Sequence, residues 1–235
     1  MSTFKGLAAL NAKREEVAER QEAANAPRAN WFKLKNNETK IVYFLNELDE
    51  EAPNYNPEYG TYLGAVEHQA PGPKGFMSRA LDTQESEGRD WAQEMYESDR
   101  KKYADFRPRE NFYINVAVIG DDGEPEAQIL SRSMANSFIE DLAELYDDEG
   151  TITGFPVAIK RRGVGLKSEW RMKKVDPDKE GFDISGVQPW DLSKTAVRSV
   201  PYAKQKEYYE RNMVLPEDED EKPSEQASED VPFDW

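Results

Sequence analysis

Residues 105–119 read DFRPRENFYINVAVI. From Phe112 onward the stretch alternates: Phe112, Ile114, Val116 and Val118 fall on one side, Tyr113, Asn115, Ala117 and Ile119 on the other. A period of two among β-branched and aromatic residues predicts a strand. Asp121-Asp122-Gly123 supplies a turn, and Ala127–Ser131 returns as a second strand. Upstream, Trp31–Lys35 and Lys40–Leu45 flank Asn36-Asn37-Glu38 and predict a hairpin. Tyr62–Glu67 is a further strand, and 70–75 (APGPKG) is a turn-rich break. Downstream, Phe155–Arg162 and Ser168–Val175 predict a last hairpin around Gly163-Val164-Gly165. Helical spacing occurs three times. Residues 4–26 carry Phe4, Leu7, Ala8 and Leu10 on one stripe and stop at Pro27; 83–103 carry Trp91, Met95 and Tyr103; 134–146 carry Met134, Phe138, Leu142 and Leu145. Short strands around a helix predict a mainly β, α+β fold: a small barrel decorated by insertions.

Composition narrows the chemistry. The chain has 235 residues, a formal charge of −16, no cysteine and one histidine, His68. Disulfides, thiolate metal sites and cysteine nucleophiles are excluded, and no second imidazole exists to share a metal with His68. No enzymatic activity, cofactor or metal is expected. No apolar run has the length of a signal peptide core or a membrane span, so a cytoplasmic protein without a membrane partner is expected. The expected organisation is a helical arm at 1–27, a core at 28–216 with an insertion near 70–105, and an acidic tail at 217–235.

Charge is segregated along the chain. Residues 217–235 hold nine acids and one base, Lys222, together with Pro216 just before them and Pro223 and Pro232 within. Such a block reads as a disordered tail. Its Val231-Pro232-Phe233-Asp234-Trp235 tip adds apolar groups that nothing local can bury, which suits capture by a partner. Residues 160–174 carry the opposite bias, with seven bases and the single acid Glu169. Two constellations mix cations with rings: Arg107, Arg109, Phe112 and Tyr113, and Lys160, Arg161, Arg162, Trp170, Arg171 and Lys173. Single-stranded nucleic acid calls for this combination, because cations follow phosphates while exposed rings stack on unpaired bases. Two readings stay open at this level: the rings face nucleic acid, or they fill a barrel whose Lys and Arg only solvate it.

Four stretches, in this order, resemble the single-stranded-DNA-binding, helix-destabilising proteins of T-even-type phages. They are ANWFKLKNNETKIVYFLNE (29–47), Val66-Glu67-His68 after a long loop, DFRPRENFYINVAVI, and EWRMKKV (169–175) with its Pro-rich exit and acidic tail. The likeness spans about residues 29 to 190. It implies an OB-fold with an inserted helical subdomain, and single-stranded-DNA binding during phage replication, recombination and repair in the bacterial host cytoplasm. Position by position, it makes Phe112 and Tyr113 a DNA-facing aromatic pair and Arg107 and Arg109 a basic segment. The family's prototype holds its insertion with zinc on one His and three Cys. Here only His68 matches, so the insertion is expected to hold by packing through Phe76, Trp91 and Met95. The prototype's N-terminal basic cooperativity motif is also not reproduced, since Lys5 is the only base before Lys13, which leaves self-association on DNA open. Finally, EDVPFDW is similar to the acidic Pro-Phe tip of bacterial single-strand-binding proteins, and marks Phe233 and Trp235 as contacts for replication, recombination or repair proteins.

One alternative function keeps only the net charge: an acidic protein-interaction hub or DNA mimic. A mimic spreads acids over its folded body, whereas this chain carries half of its excess in the tail. A flexible tether holds its own acids at millimolar effective concentration near a basic groove. Removing 217–235 is therefore expected to tighten single-strand binding at low salt, with the gain shrinking as ions screen the tail. Removing only 231–235 should leave DNA affinity unchanged and abolish capture of a partner enzyme. Fluorescence polarisation at two salt concentrations checks the first outcome, and a pull-down the second.

Overall fold

The computed structural model describes residues 6–7, 10–11, 13–14, 29–71, 77–163 and 168–210. The strands are β1 (Asn30–Trp31), β2 (Thr39–Phe44), β3 (Leu63–Pro71), β4 (Met77–Leu81), β5 (Arg109–Ile119), β6 (Pro125–Ser133), β7 (Val157–Arg162) and β8 (Glu169–Lys174). Six α-helices are delimited among the described residues: α1 (Gln84–Glu87), α2 (Trp91–Ser98), α3 (Ser137–Glu149), α4 (Pro177–Glu180), α5 (Leu192–Thr195) and α6 (Tyr202–Glu210). The fold is mixed α+β, and its eight strands join one sheet. Two compact units divide the described residues, one holding those up to Glu67 and from Arg109 to Ser199, the other His68–Pro108 and the residues from Val200 on.

In the first unit the hydrogen-bonded order is β1-β6-β5-β2-β7-β8, with β3 on β5. The β5–β6 ladder runs from Asn111↔Ser133 to Ile119↔Pro125. Gly123, at φ 88°, makes the turn in a conformation that costs glycine little. Residues 111–118 of β5 are all buried. Phe112, Ile114, Val116 and Val118 join Val42, Phe44, Leu130, Val157, Ile159 and the α3 residues Phe138 and Leu142 in the main core. The other face is also covered. Ala117 packs with Tyr43, Ala127 and Val187 under Phe182, Ile184 and Trp190, and Tyr113 packs with Ile129 and Leu192. The segment from Phe182 to Val197 is thus a second cover for the central strand.

The structure departs from the expected fold in two places. The sheet is not closed into a barrel, because β1 and β8 stand at the two ends of an open path. Side chains fill the seam instead of a backbone ladder: Trp170 of β8 meets Phe32 edge-on at 5.7 Å and Phe138 at 6.2 Å. The expected 31–45 hairpin does not form either. β1 pairs in parallel with β6, Asn30 to Gln128 and Trp31 to Ile129, and Phe32 N–H donates to Ile129 O at 2.9 Å. Burial of Phe32 and Leu34 in the main core draws the segment away from β2.

The second unit has its own small core of Ala70, Ala80, Ala92, Phe106, Val200 and Tyr209. Trp91 stacks on Tyr209 at 6.0 Å and meets Phe106 edge-on at 5.5 Å. The continuous helix expected at 83–103 breaks into α1 and α2, and a short 3-10 turn follows at Ala104–Phe106. Gly88 ends α1 at φ 74°, and Asp90 caps α2 by accepting from Gln93 N–H. Trp91 and Met95 pack here as expected, while Phe76 lies outside the described residues. The expected core extended to 216, but the described residues from Val200 to Glu210 belong to this second unit. Most of the arm at 1–27 and the whole tail at 217–235, Phe233 and Trp235 included, lie outside the described residues. No helix among the described residues is long and apolar enough to cross a membrane.

Asn115, a polar residue deep inside β5, is fully used. Asn115 Nδ2 donates to Asn46 Oδ1 and to Trp190 O, each at 3.0 Å, and Asn115 Oδ1 accepts from Trp190 N–H at 3.0 Å. This clamp fixes the covering segment to the strand it covers. Unmet buried groups cost about 1–3 kcal/mol each, so Asn115→Ala is expected to lower unfolding free energy by about 3 kcal/mol in urea titrations. The Asn46→Ala, Asn115→Ala double variant should lose less than the sum of the singles.

Candidate nucleic-acid interface

The β7–β8 ladder sets which cations share a face. Lys160 pairs with Arg171, Ala158 with Lys173 and Arg162 with Glu169; on the opposite face Arg161 pairs with Trp170 and Ile159 with Met172. Since Ile159 and Trp170 enter the core, Lys160, Arg162, Arg171 and Lys173 project from the outer face. β2 continues that face with Thr39 opposite Lys160 and Ile41 opposite Ala158. Arg171 lies 3.7 Å from Asp141 and 3.9 Å from Glu169, with 60% of its side chain exposed. Pairs this exposed and this long hold little energy, so the guanidinium can exchange them for a phosphate.

A second outward stripe precedes β2. Phe32 and Leu34 are buried, while Trp31, Lys33 and Lys35 alternate with them and are exposed. Trp31 is 38% exposed, the largest exposed aromatic among the described residues. Its inner edge rests on Tyr113 at 6.1 Å between ring centres. Trp31 is absent from the expected site residues, although the sequence holds a signal for it. The Trp-Phe-Lys-Leu-Lys alternation places cations beside Trp31 on one face, and a face carrying two lysines is the outer one.

Three aromatic assignments are overturned. Phe112 and Tyr113, expected to face DNA, are 1% and 0% exposed, and Trp170 is 6% exposed. Phe112 stacks under Tyr62 at 4.9 Å. The Tyr113 hydroxyl donates to the buried Glu67 carboxylate, which also accepts from Asn111 Nδ2 at 2.8 Å. Trp170 is wedged between Phe32, Phe138 and Arg132. The reason is common to all three: period two reveals that a strand has two faces, but both faces of β5 and the inner face of β8 are covered. Arg161 is likewise turned inward, where its Nη1 donates to Leu34 O at 2.8 Å. Arg107 and Arg109 are both exposed. Arg107 ends the 3-10 turn of the second unit, whereas Arg109 opens β5 of the first, opposite Glu67.

His68 sits in the second unit, fully buried. Its Nδ1 is 2.5 Å from Phe106 O and its Nε2 is 2.8 Å from Asp82 Oδ2. Asp90 Oδ1 lies 3.6 Å from the same Nε2. One ligand atom from each of His68, Asp82 and Asp90 falls within 4.8 Å of the others, a spacing a cation could use. The donors are nonetheless committed to one another. Asp90 accepts from Thr83 N–H and Oγ1–H, each at 3.1 Å, from Gln205 Nε2 at 2.7 Å and from Gln93 N–H at 2.9 Å. With no thiolate and a carboxylate already saturated, these residues do not fit the tetrahedral zinc centre of the resembling family. They form a hydrogen-bonded knot that ties β3, the α1–α2 loop, the 3-10 turn and α6 together.

No protein-family model and no curated protein matches this chain.

The knot generates a clear expectation. Chelator treatment should leave the melting temperature unchanged. His68→Ala should lower stability by about 1–3 kcal/mol, since a buried carbonyl and a carboxylate lose their partner. Thermal scans with and without chelator check both, and a chelator-induced fall in melting temperature would refute the knot.

Proposed function

We propose that this protein binds single-stranded DNA and coats it during phage replication, recombination and repair, acting by binding rather than catalysis. The observation that carries the reading is the outer row of Lys160, Arg162, Arg171 and Lys173, set on one face by the β7–β8 register. Trp31, exposed beside Lys33 and Lys35, supplies a ring for an unpaired base. The connectivity supports an OB-type reading of the first unit. β2 pairs with both β5 and β7, β5 with β6, and β7 with β8, while α3 falls between β6 and β7. This is compatible with a partly open Greek-key barrel, a scaffold suited to oligonucleotides. The ordered resemblance of residues 29–190 to the T-even helix-destabilising proteins points the same way. Recruitment of repair or replication enzymes through Phe233 and Trp235 belongs to the same proposal.

The test is fluorescence polarisation with a labelled oligothymidine and its duplex counterpart across a salt series. Single strands should bind well above duplex, with a log–log salt slope near −0.7 per phosphate neutralised. Changing Lys160, Arg162 and Lys173 together to Ala should flatten that slope by about 0.7 for each phosphate no longer neutralised. Trp31→Ala should weaken binding by about 1–3 kcal/mol and leave the slope intact. Equal affinity for duplex, or no binding at low salt, would sink the reading.

A further inference from the structure

Two arginines in the first unit point the wrong way for solvating groups. Arg132 stands opposite Phe112 in the β5–β6 register, on the same face as Leu130. Arg161 stands opposite Trp170 in the β7–β8 register, on the face of Ile159. Both therefore project inward, at the seam where the sheet stays open. The Arg132 guanidinium carbon lies 3.1 Å from the centre of the Trp170 ring. Arg161 is anchored through Nη1 on Leu34 O.

Their donors are not satisfied. Arg132 Nε and Nη2 and Arg161 Nε are buried and have no hydrogen-bond partner. Neither guanidinium has a carboxylate at ion-pair distance among the described residues. Burial, and after it the neighbouring Arg161 charge, pull the Arg132 guanidinium down to about 10. Two like charges beside an apolar core, with three idle donor nitrogens, are costly unless something neutralises them. The buried carboxylates of this unit are treated differently. Glu67 accepts from Asn111 and Tyr113. Glu47 accepts from Ile152 N–H at 3.2 Å, from Thr153 N–H at 3.3 Å and from the hydroxyls of Thr151 and Thr153.

The missing partner has a definite chemistry. It must be anionic, present several acceptor oxygens and tolerate a planar fork, which describes a phosphate. Stacking on Trp170 fixes the plane of Arg132 and leaves its edge N–H groups free to donate. We propose that Arg132 and Arg161 form a phosphate-binding fork at the β6–β8 seam, with Trp170 as its floor. Inorganic phosphate and a strand phosphodiester share this chemistry; use of the fork by a strand rests on the single-strand reading above, while the fork itself does not. The site is distinct from the outer row, because Lys160, Arg162, Arg171 and Lys173 lie on the opposite face of the same hairpin.

The experiment titrates inorganic phosphate into the full chain at constant ionic strength, following tryptophan fluorescence and melting temperature, with chloride as the control. A saturable response is expected, at least tenfold weaker in Arg132→Gln and in Arg161→Gln and unchanged in Lys179→Gln, an exposed cation outside both sites. If Arg132→Gln fails to fold, Arg132→Lys keeps the charge but loses the fork, and should show the same weakening. In a second arm, oligothymidine should compete with phosphate, and Arg132→Gln should flatten the salt slope of strand binding. Phosphate binding without competition would assign the fork to free phosphate and reject its use by a strand. An absence of competition while the outer-row variants still shift strand affinity would separate that failure from failure of the single-strand reading. No saturable response to phosphate, with Arg132→Gln more stable than the parent protein, would overturn the fork and leave an uncompensated repulsion.

Discussion

The first unit is organised by the burial of both faces of one strand. β5 contributes Phe112, Ile114, Val116 and Val118 to the main core and Tyr113, Asn115 and Ala117 to a second interior. An eleven-residue strand with so little wet face needs cover on each side, and the rest of the unit supplies it. α3 and the inner faces of β2 and β7 close one side, and the run from Phe182 to Val197 closes the other. The second cover has little secondary structure of its own, so it depends on the Asn115 clamp and on Trp190, whose indole N–H donates to Ala127 O at 2.9 Å. Because β5 is used up in this way, any surface chemistry must come from elements at the margins: the 31–35 stripe and the β7–β8 hairpin.

Local period and turn chemistry were legible, and pairings over long separations were not. The alternation of 112–119, the Asp-Asp-Gly turn and the Met134–Tyr146 spacing correspond to β5, its turn into β6, and α3. The last hairpin matches β7 and β8. The 31–45 hairpin failed because Phe32 and Leu34 gain more by entering the core beside Trp170 than Trp31–Lys35 gains by pairing with β2. The 83–103 helix failed at Gly88 and Asp90, whose cap chemistry was visible but was outweighed by the helical spacing of Trp91 and Met95. The Phe182–Val197 cover and α6 carry too weak a pattern to declare their partners, which are Tyr43 and Ala117 for the one and Trp91 for the other.

The candidate site followed the same rule. The cations at 160, 162, 171 and 173 were legible as part of a basic stretch that also holds Trp170, and the register puts them on one face. Which aromatics faced outward was a different question, because it depends on which strand face another element covers. Phe112, Tyr113 and Trp170 have the same period as exposed stacking rings, yet all three are core. Trp31 was the better choice on internal grounds, since its neighbours at 33 and 35 are lysines rather than Ile, Val or Ala. Arg132 carried no sequence signal. An arginine between Ser131 and Ser133 reads as an ordinary exposed residue until its facing partner, Phe112, is known.

Net charge and local charge act over different ranges here. At −16 the whole chain repels a polyanion at a distance, but salt screens that repulsion beyond about 8 Å at physiological ionic strength. Inside that range the field belongs to the nearest groups, and on the outer face of β7–β8 those are Lys160, Arg162, Arg171 and Lys173 against the carboxylates of Glu169 and the nearby Asp141. Under the proposed function, association would gain little from long-range steering and much from contacts made only on close approach. Duplex DNA would meet the same repulsion without an unpaired base to offer Trp31, so on that proposal the long-range field would penalise every polyanion while only a single strand would recover the loss. Under the proposed function, an acidic chain with a narrow cationic face would discriminate through the contacts that remain after screening.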